Sequence, residues 1–119
     1  MKTIIAGGRD VRLSAKDLLL LDNLKSEITE VVCGCARGVD TDGRSWAIRL
    51  SVPYIDFPAD WKRYNLAAGG IRNEQMAVYA DALIVFSGNT GTNDMFKRAV
   101  KHKLKIHDFR HVSSFKYLL

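Results

Sequence analysis

The residues best equipped for chemistry in this chain lie in three short stretches: Gly7-Gly8-Arg9-Asp10, Gly34-Cys35-Ala36-Arg37-Gly38 and Gly88-Asn89-Thr90-Gly91-Thr92. Each follows a short apolar run and precedes a helical pattern, so each reads as a strand-to-helix turn. Such a turn presents free backbone N–H groups and the positive end of a helix dipole, and phosphate is the expected tenant. Glycine lets the backbone approach a ligand closely. Arg9, Arg37 and Arg72 can each grip a phosphate bidentately, with Arg37 the expected clamp. Asp10 suits a ribose hydroxyl or a pair with Arg9, while Asp40 is read first as a helix cap. The chain carries neither G-x-G-x-x-G nor G-x-x-x-x-G-K-[ST], which sets aside ordinary dinucleotide dehydrogenases and P-loop nucleotidases.

The elements that must hold these turns alternate along the chain. Strands are expected over residues 3–6, 31–33, 52–57, 82–86 and 104–107. Ser14 with Asp17 forms a capping-box start for a first helix, whose Leu20, Leu21, Leu24 and Ile28 share one face. Asp40 or Thr41 caps a second helix with Trp46, Ala47 and Leu50 inward. Gly43 weakens that helix by around 1 kcal/mol relative to Ala, which points to close packing or a nearby ligand. Residues 58–68 read as a loop holding Trp61 and Tyr64, and 69–80 as a third helix. Thr92 caps a fourth, with Met95, Phe96, Ala99 and Val100 inward. Strand alternating with helix means βαβ units and a parallel sheet covered on both faces. The expected fold is a single Rossmann-like α/β domain over residues 1–119, with an open, mostly parallel five-stranded sheet and a tail from 108 of no firm reading. In such a sheet ligands bind beyond the carboxyl ends of the strands, where strand order reverses.

Composition agrees with a globular chain: 119 residues, 47% hydrophobic and 26% charged. The apolar runs are too short to span a membrane, and the N-terminus runs into Arg9 and Asp10 too soon for a secretory signal, so the chain reads as cytoplasmic. Cys33 and Cys35 are read as reduced, because a bridge between them would be strained. Two thiols without His or Cys neighbours make no zinc site, so no metal is expected. From Lys97 onward seven Lys or Arg (Lys97, Arg98, Lys101, Lys103, Lys105, Arg110, Lys116) face one acid, Asp108. That stretch is either a solvated helix face or a nucleic-acid contact.

Several motifs, in order, resemble the YspA-like branch of the SLOG superfamily, which also contains the Smf/DprA recombination mediators and the LOG phosphoribohydrolases. They are Ile5 through Asp10, Cys33 through Asp40, Trp46-Ala47, Phe57 through Trp61, Ala68-Gly69 with Arg72-Asn73 and Met76, Ala80 through Ile84, and Gly88 through Thr92. The resemblance runs to about Ala99. It implies a Rossmann-like fold that binds a nucleotide or an ADP-ribose-like ligand, a bacterial host cell and a phage or prophage origin. Relatives often self-associate, and the apolar end Phe115-Lys-Tyr-Leu-Leu119 gives a reason for a homo-oligomer. The family usually has Gly where this chain has Cys35, and Ala where it has Gly43. The LOG enzymes place a catalytic glutamate three residues after their Gly-Thr; here that position is Met95, and Asp94 is expected to face away.

The reading that results is binding of a phosphorylated small molecule, for sensing or sequestration rather than turnover. The expected ligand residues are Gly7, Gly8, Arg9, Asp10, Gly34, Cys35, Arg37, Gly38, Arg72, Asn73, Gly88, Asn89, Thr90, Gly91 and Thr92. The runner-up is phosphoribohydrolase-like cleavage of an N-glycosidic bond, for which Asp10 and Arg72 are the catalytic candidates. A third reading is DprA-like binding of single-stranded DNA, with Lys97, Lys101, Lys103 and Lys105 on phosphates and Trp61 or Tyr64 stacking on bases. His102, in the basic helix, is expected to be solvated.

Overall fold

The computed structural model describes residues 1–110. The apolar end at 115–119, His111 and Lys116 lie outside the described residues. The elements run β1 (Lys2–Ala6), α1 (Ala15–Leu24), β2 (Glu30–Cys33), α2 (Val39–Arg49), β3 (Tyr54–Asp56), α3 (Trp61–Tyr64), α4 (Ala68–Tyr79), β4 (Ala82–Val85), α5 (Thr90–Lys101) and β5 (Lys105–Asp108). Short 3-10 turns follow α1 and α3. The five strands lie in the order β3-β2-β1-β4-β5 and every pairing is parallel. Strand order therefore reverses between β1 and β4, and the carboxyl ends of those strands frame a crevice. This is a Rossmann-like α/β fold.

Alternation along the strands explains how helices cover both faces. Ile4, Ala6, Val32, Leu83 and Val85 point to one side, into a core with Met76, Ala77 and Ala80 of the α4 segment and Met95 and Ala99 of α5. Ile5, Val31, Ile84 and Phe86 point to the other, against Leu21 of α1 and Val39, Trp46 and Ala47 of α2. Trp46 is fully buried, and its indole N–H donates to Asp22 Oδ1 at 2.9 Å, which joins α2 to α1. The capping box forms as its spacing predicts. Ser14 Oγ accepts from Asp17 N at 3.2 Å and Asp17 Oδ2 accepts from Ser14 N at 2.9 Å.

Boundaries differ from expectation where local turns intervene. Strand β3 starts at Tyr54 because Val52 N–H closes the end of α2 on Ala47 O. Residues 58–68 hold a helical turn, α3, capped by Asp60, whose carboxylate accepts from Arg63 N. Neither Asp40 nor Thr41 caps α2. The cap is Gly38 at φ 79°, and Thr41 instead donates its hydroxyl to Ala36 O at 2.7 Å. Helix α5 likewise starts before Thr92, which is buried within it. Val100 faces outward and is 53% exposed. Lys103 at φ 59° turns the chain, so β5 begins at Lys105.

Close packing is the reason for Gly43. A Cβ there would lie 2.8 Å from Ile5 Cγ2 in the core. Gly43→Ala gains roughly 1 kcal/mol of helix propensity, but overpacking costs about 1–3 kcal/mol. Urea unfolding should give a lower midpoint for G43A. G91A, whose new Cβ meets no protein atom within 4 Å, should match or exceed the parent.

Candidate functional site

At the switch point the three glycine-bearing turns press on one another. Gly8 N–H donates to Ser87 O at 2.8 Å, and Gly8 O accepts from both Val11 N and Val39 N at 3.3 Å. Gly38 sits in the left-handed region, and a side chain there would collide with Gly8 O. A Cβ on Gly88 would collide with Thr92 Oγ1 and come within 2.8 Å of Gly8 N. These glycines thus serve contact between loops, and Gly8, Gly38 and Gly88 line neither hollow described next.

Beyond this knot lies a cleft of about 280 Å³. Gly7 and Arg9 follow β1, and Asn89, Thr90, Gly91 and Thr92 come from the start of α5. Arg72 and Asn73 enter from α4, with Trp61 and Leu66 from the segment between β3 and α4. The Trp61 ring rests near Gly69, whose Cβ position is 3.6 Å from it. A second hollow of about 380 Å³ shares Arg9, Ala36, Trp61 and Arg72 and adds Gly34, Cys35 and Arg37. Eleven of the fifteen expected ligand residues thus lie along two neighbouring hollows. Asp10 lines neither hollow. It pairs with Arg37 at 3.1 Å, both side chains largely exposed, so Arg37 stands on the rim rather than at the centre.

Arginine 72 is a brace. Its guanidinium donates to Gly34 O and, at 3.0 Å, to Asn73 Oδ1. Asn73 Nδ2 donates to Asp94 Oδ2 at 2.9 Å, and Arg98 Nε reaches the same oxygen at 2.9 Å. Asp94 therefore lines the cleft instead of facing away. Met95 is buried as expected, but successive helix residues differ by about 100°. That turn puts Asp94 on the side of α5 that runs along α4. Burial opposes its ionisation, yet the bonds from Arg98 and Asn73 hold its carboxyl below the ordinary value.

Asp40, expected as a cap, is instead a buried carboxylate on the cleft wall. Burial pushes it up to about 6, against the opposing pull of the Arg72 charge and the Ala36 and Gly7 N–H groups. No sequence signal separated this role from a cap, since both place Asp at the first turn of α2. Arg9 is exposed, and its guanidinium makes no hydrogen bond or ion pair among the described residues.

The basic stretch after residue 97 is largely paired. Arg98 meets Asp94 and Glu74, Lys101 lies 3.9 Å from Glu74, Lys105 is 2.8 Å from Glu27 and Arg110 is 2.7 Å from Asp108. His102 is not simply solvated: its Nε2–H donates to Glu74 Oε2 at 2.7 Å. Cys35, at φ 64°, is a non-glycine residue in the left-handed region. The Cys33 thiol is pushed up to about 12, chiefly by burial. No helix among the described residues is long and apolar enough to cross a membrane.

No family model matches the chain, and no curated protein matches it in sequence. Among solved structures it is similar to DNA processing protein A (DprA) from Streptococcus pneumoniae, with a TM-score of 0.71 at 16% identity over 90% of this chain. The chain spans about half of that protein, 49% of its length. The likeness is one of fold, and it matches the Rossmann-like architecture expected from the sequence.

Two measurements test the site's physical chemistry. The native state holds more protons on Asp40 than the unfolded chain between pH 3.8 and about 6. The contribution of Asp40 to stability therefore falls as pH rises through that window, by up to about 3 kcal/mol. Because Asp42, Glu74 and Asp94, with carboxyls held low, give the opposite trend, denaturation across pH should show this fall as a stability difference between the parent and Asp40→Asn. At Cys35 the left-handed conformation costs about 1–2 kcal/mol, partly offset by the backbone entropy of glycine. Cys35→Gly should unfold at an equal or higher temperature, and Cys35→Val at a lower one.

Proposed function

We infer that the chain binds a phosphorylated nucleotide or ADP-ribose-like molecule in the 280 Å³ cleft and senses or sequesters it. One observation carries this reading. The N-terminus of the 12-residue helix α5 has no side-chain cap and no acid in its first turn, and it opens onto the same cleft as the unpaired Arg9. Backbone N–H groups, the helix dipole and a guanidinium then converge on one anion. Trp61, 47% exposed, and Leu66, 97% exposed, give the cleft an apolar lip for a base. The Asp40 and Asp94 carboxylates on the cleft wall offer acceptors to sugar hydroxyls. The ordered sequence motifs support the YspA-like branch of the SLOG superfamily and a phage origin, and the DprA-like fold supports the superfamily.

Two further readings have specific observations behind them. Single-stranded DNA binding is favoured by the likeness to a DNA processing protein and by exposed Trp61 beside Arg9. Of the four lysines that this reading places on phosphates, Lys101 and Lys105 have acidic partners, Glu74 and Glu27, while Lys97 and Lys103 make no ion pair among the described residues. Glycosidic cleavage is favoured by Asp94, a carboxylate in the cleft.

Thermal shift and calorimetry with nucleoside mono- and diphosphates, ADP-ribose and an oligothymidylate decide among these. At least one mononucleotide or ADP-ribose should raise the melting temperature. Arg9→Ala should leave the ligand-free melting temperature unchanged and weaken binding by about 10–100-fold, the worth of one charge-assisted contact. A folded protein unmoved by the panel overturns the reading. Oligonucleotide binding that falls steeply with salt, without a mononucleotide response, puts DNA first. Release of free base puts cleavage first.

A further inference from the structure

Among the described residues one group of side chains outside the proposed anion subsite has the composition of a metal site. Cys33 Sγ, Cys35 Sγ and an Asp56 carboxylate oxygen all lie within 4.8 Å of one another. The strand register explains why. Cys33 and Asp56 are partners on β2 and β3, so their side chains leave the sheet on the same face. Cys35 follows the end of β2 and is turned back by its left-handed backbone, which brings its N–H to 3.2 Å from Cys33 Sγ. The sequence reading set metal aside because two thiols lacked a further donor. The neighbouring strand supplies that donor.

We propose that Cys33, Cys35 and Asp56 form a three-ligand site for a thiophilic divalent cation of the zinc type. Two sulfurs and one oxygen are the donor set of a borderline-soft ion, and three protein ligands leave a fourth tetrahedral position open. Cys35 lines the hollow that also holds Arg9, Arg37 and Trp61, from which water or an anion would complete the shell. Metal–ligand bonds of about 2.0–2.3 Å draw the donors together by up to about an ångström, within reach of rotation by the exposed Cys35 and Asp56 side chains. The surroundings suit the charge. Two thiolates and a carboxylate outnumber a dication by one, and Arg44, 3.1 Å from Asp56, and Arg72, lining the Cys35 hollow, offset the excess. Arg44 bonds both Asp56 oxygens and would orient the carboxylate as an outer-shell partner. The Cys35 N–H remains as a donor to the Cys33 sulfur. Binding replaces two S–H bonds by two metal–sulfur bonds and passes both protons to water.

The test is a titration of the full chain with Cd²⁺ under a phosphine reductant. It follows sulfur-to-metal charge-transfer absorption, then competition by Zn²⁺. The expected result is a band that saturates at one ion per chain, is displaced by Zn²⁺ and accompanies release of about two protons per ion. Cys35→Ser should abolish the band, and Asp56→Asn should weaken affinity about tenfold or more. Circular dichroism and melting of the metal-free variants verify that both are folded. Absence of a band in the parent, or a band that survives Cys35→Ser, overturns the proposal. So does an affinity unchanged in Asp56→Asn, which would reduce the site to two thiols. Nucleotide binding by the parent does not enter any of these outcomes.

Discussion

The close approach of three backbone segments at Gly8 is the constraint on which the site edge of this molecule depends. The Gly8 peptide groups bond to Ser87 and to Val39, and Gly38 and Gly88 stand where any side chain would strike that strand-to-helix turn or a neighbour bonded to it. Because β1 and β4 are adjacent in the sheet, the turns after them must cross within a few ångströms of each other. Only glycine allows that at such spacing. The result fixes where α2 and α5 begin, and therefore where their N-termini aim. It also frees Gly7 and Arg9 to face the crevice.

Either face of the sheet is held by ordinary apolar packing, but the two helices beneath the cleft are also joined by a polar seam. Arg72, Asn73, Asp94, Arg98 and Glu74 connect in series across α4 and α5, ending at His102. Asn73 is buried within it and leaves no polar atom unpartnered. Such a seam sets the separation of the helices more specifically than apolar contact, because a shift breaks several directional bonds together. The cleft floor is thus cross-linked by directional bonds, while its lip at Trp61 and Leu66 is exposed.

The fold was legible because its cause is periodic. Ile4 and Ile5, or Leu83 and Ile84, serve opposite cores, and a short apolar strand buried on both faces looks like nothing else when helices intervene. The site was legible at the level of loops and less so at the level of side chains. Gly38 and Gly88 announce tight turns, but whether the tightness accommodates a ligand or another loop depends on strand order. Asp40 and Asp94 were misjudged because a helix position is known from spacing only to within about a turn. Their environment is set by α4, whose placement is a tertiary matter. Asp56 had no signal as a neighbour of the cysteines, since register between β2 and β3 is invisible in a linear reading. The pairing of the basic stretch was hidden too, because Glu27 and Glu74 are far away in sequence.

The placement of β1 at the centre of the sheet has a consequence in time. During synthesis β1, β2 and β3 emerge first and can assemble with α1 and α2 as a three-stranded half. The second neighbour of β1 is β4, paired through Thr3 with Ala82 and onward to Ala6 with Val85. Until that strand leaves the ribosome, one edge of β1 stays unpaired, and the crevice has only one wall. Residues that complete the other wall, from Asn89 to Asp94, follow within the next ten or so positions of the chain. The N-terminus of α5 therefore forms after both of the strands that frame the crevice. Both walls of the crevice are thus in place only once β4 and the start of α5 have been made.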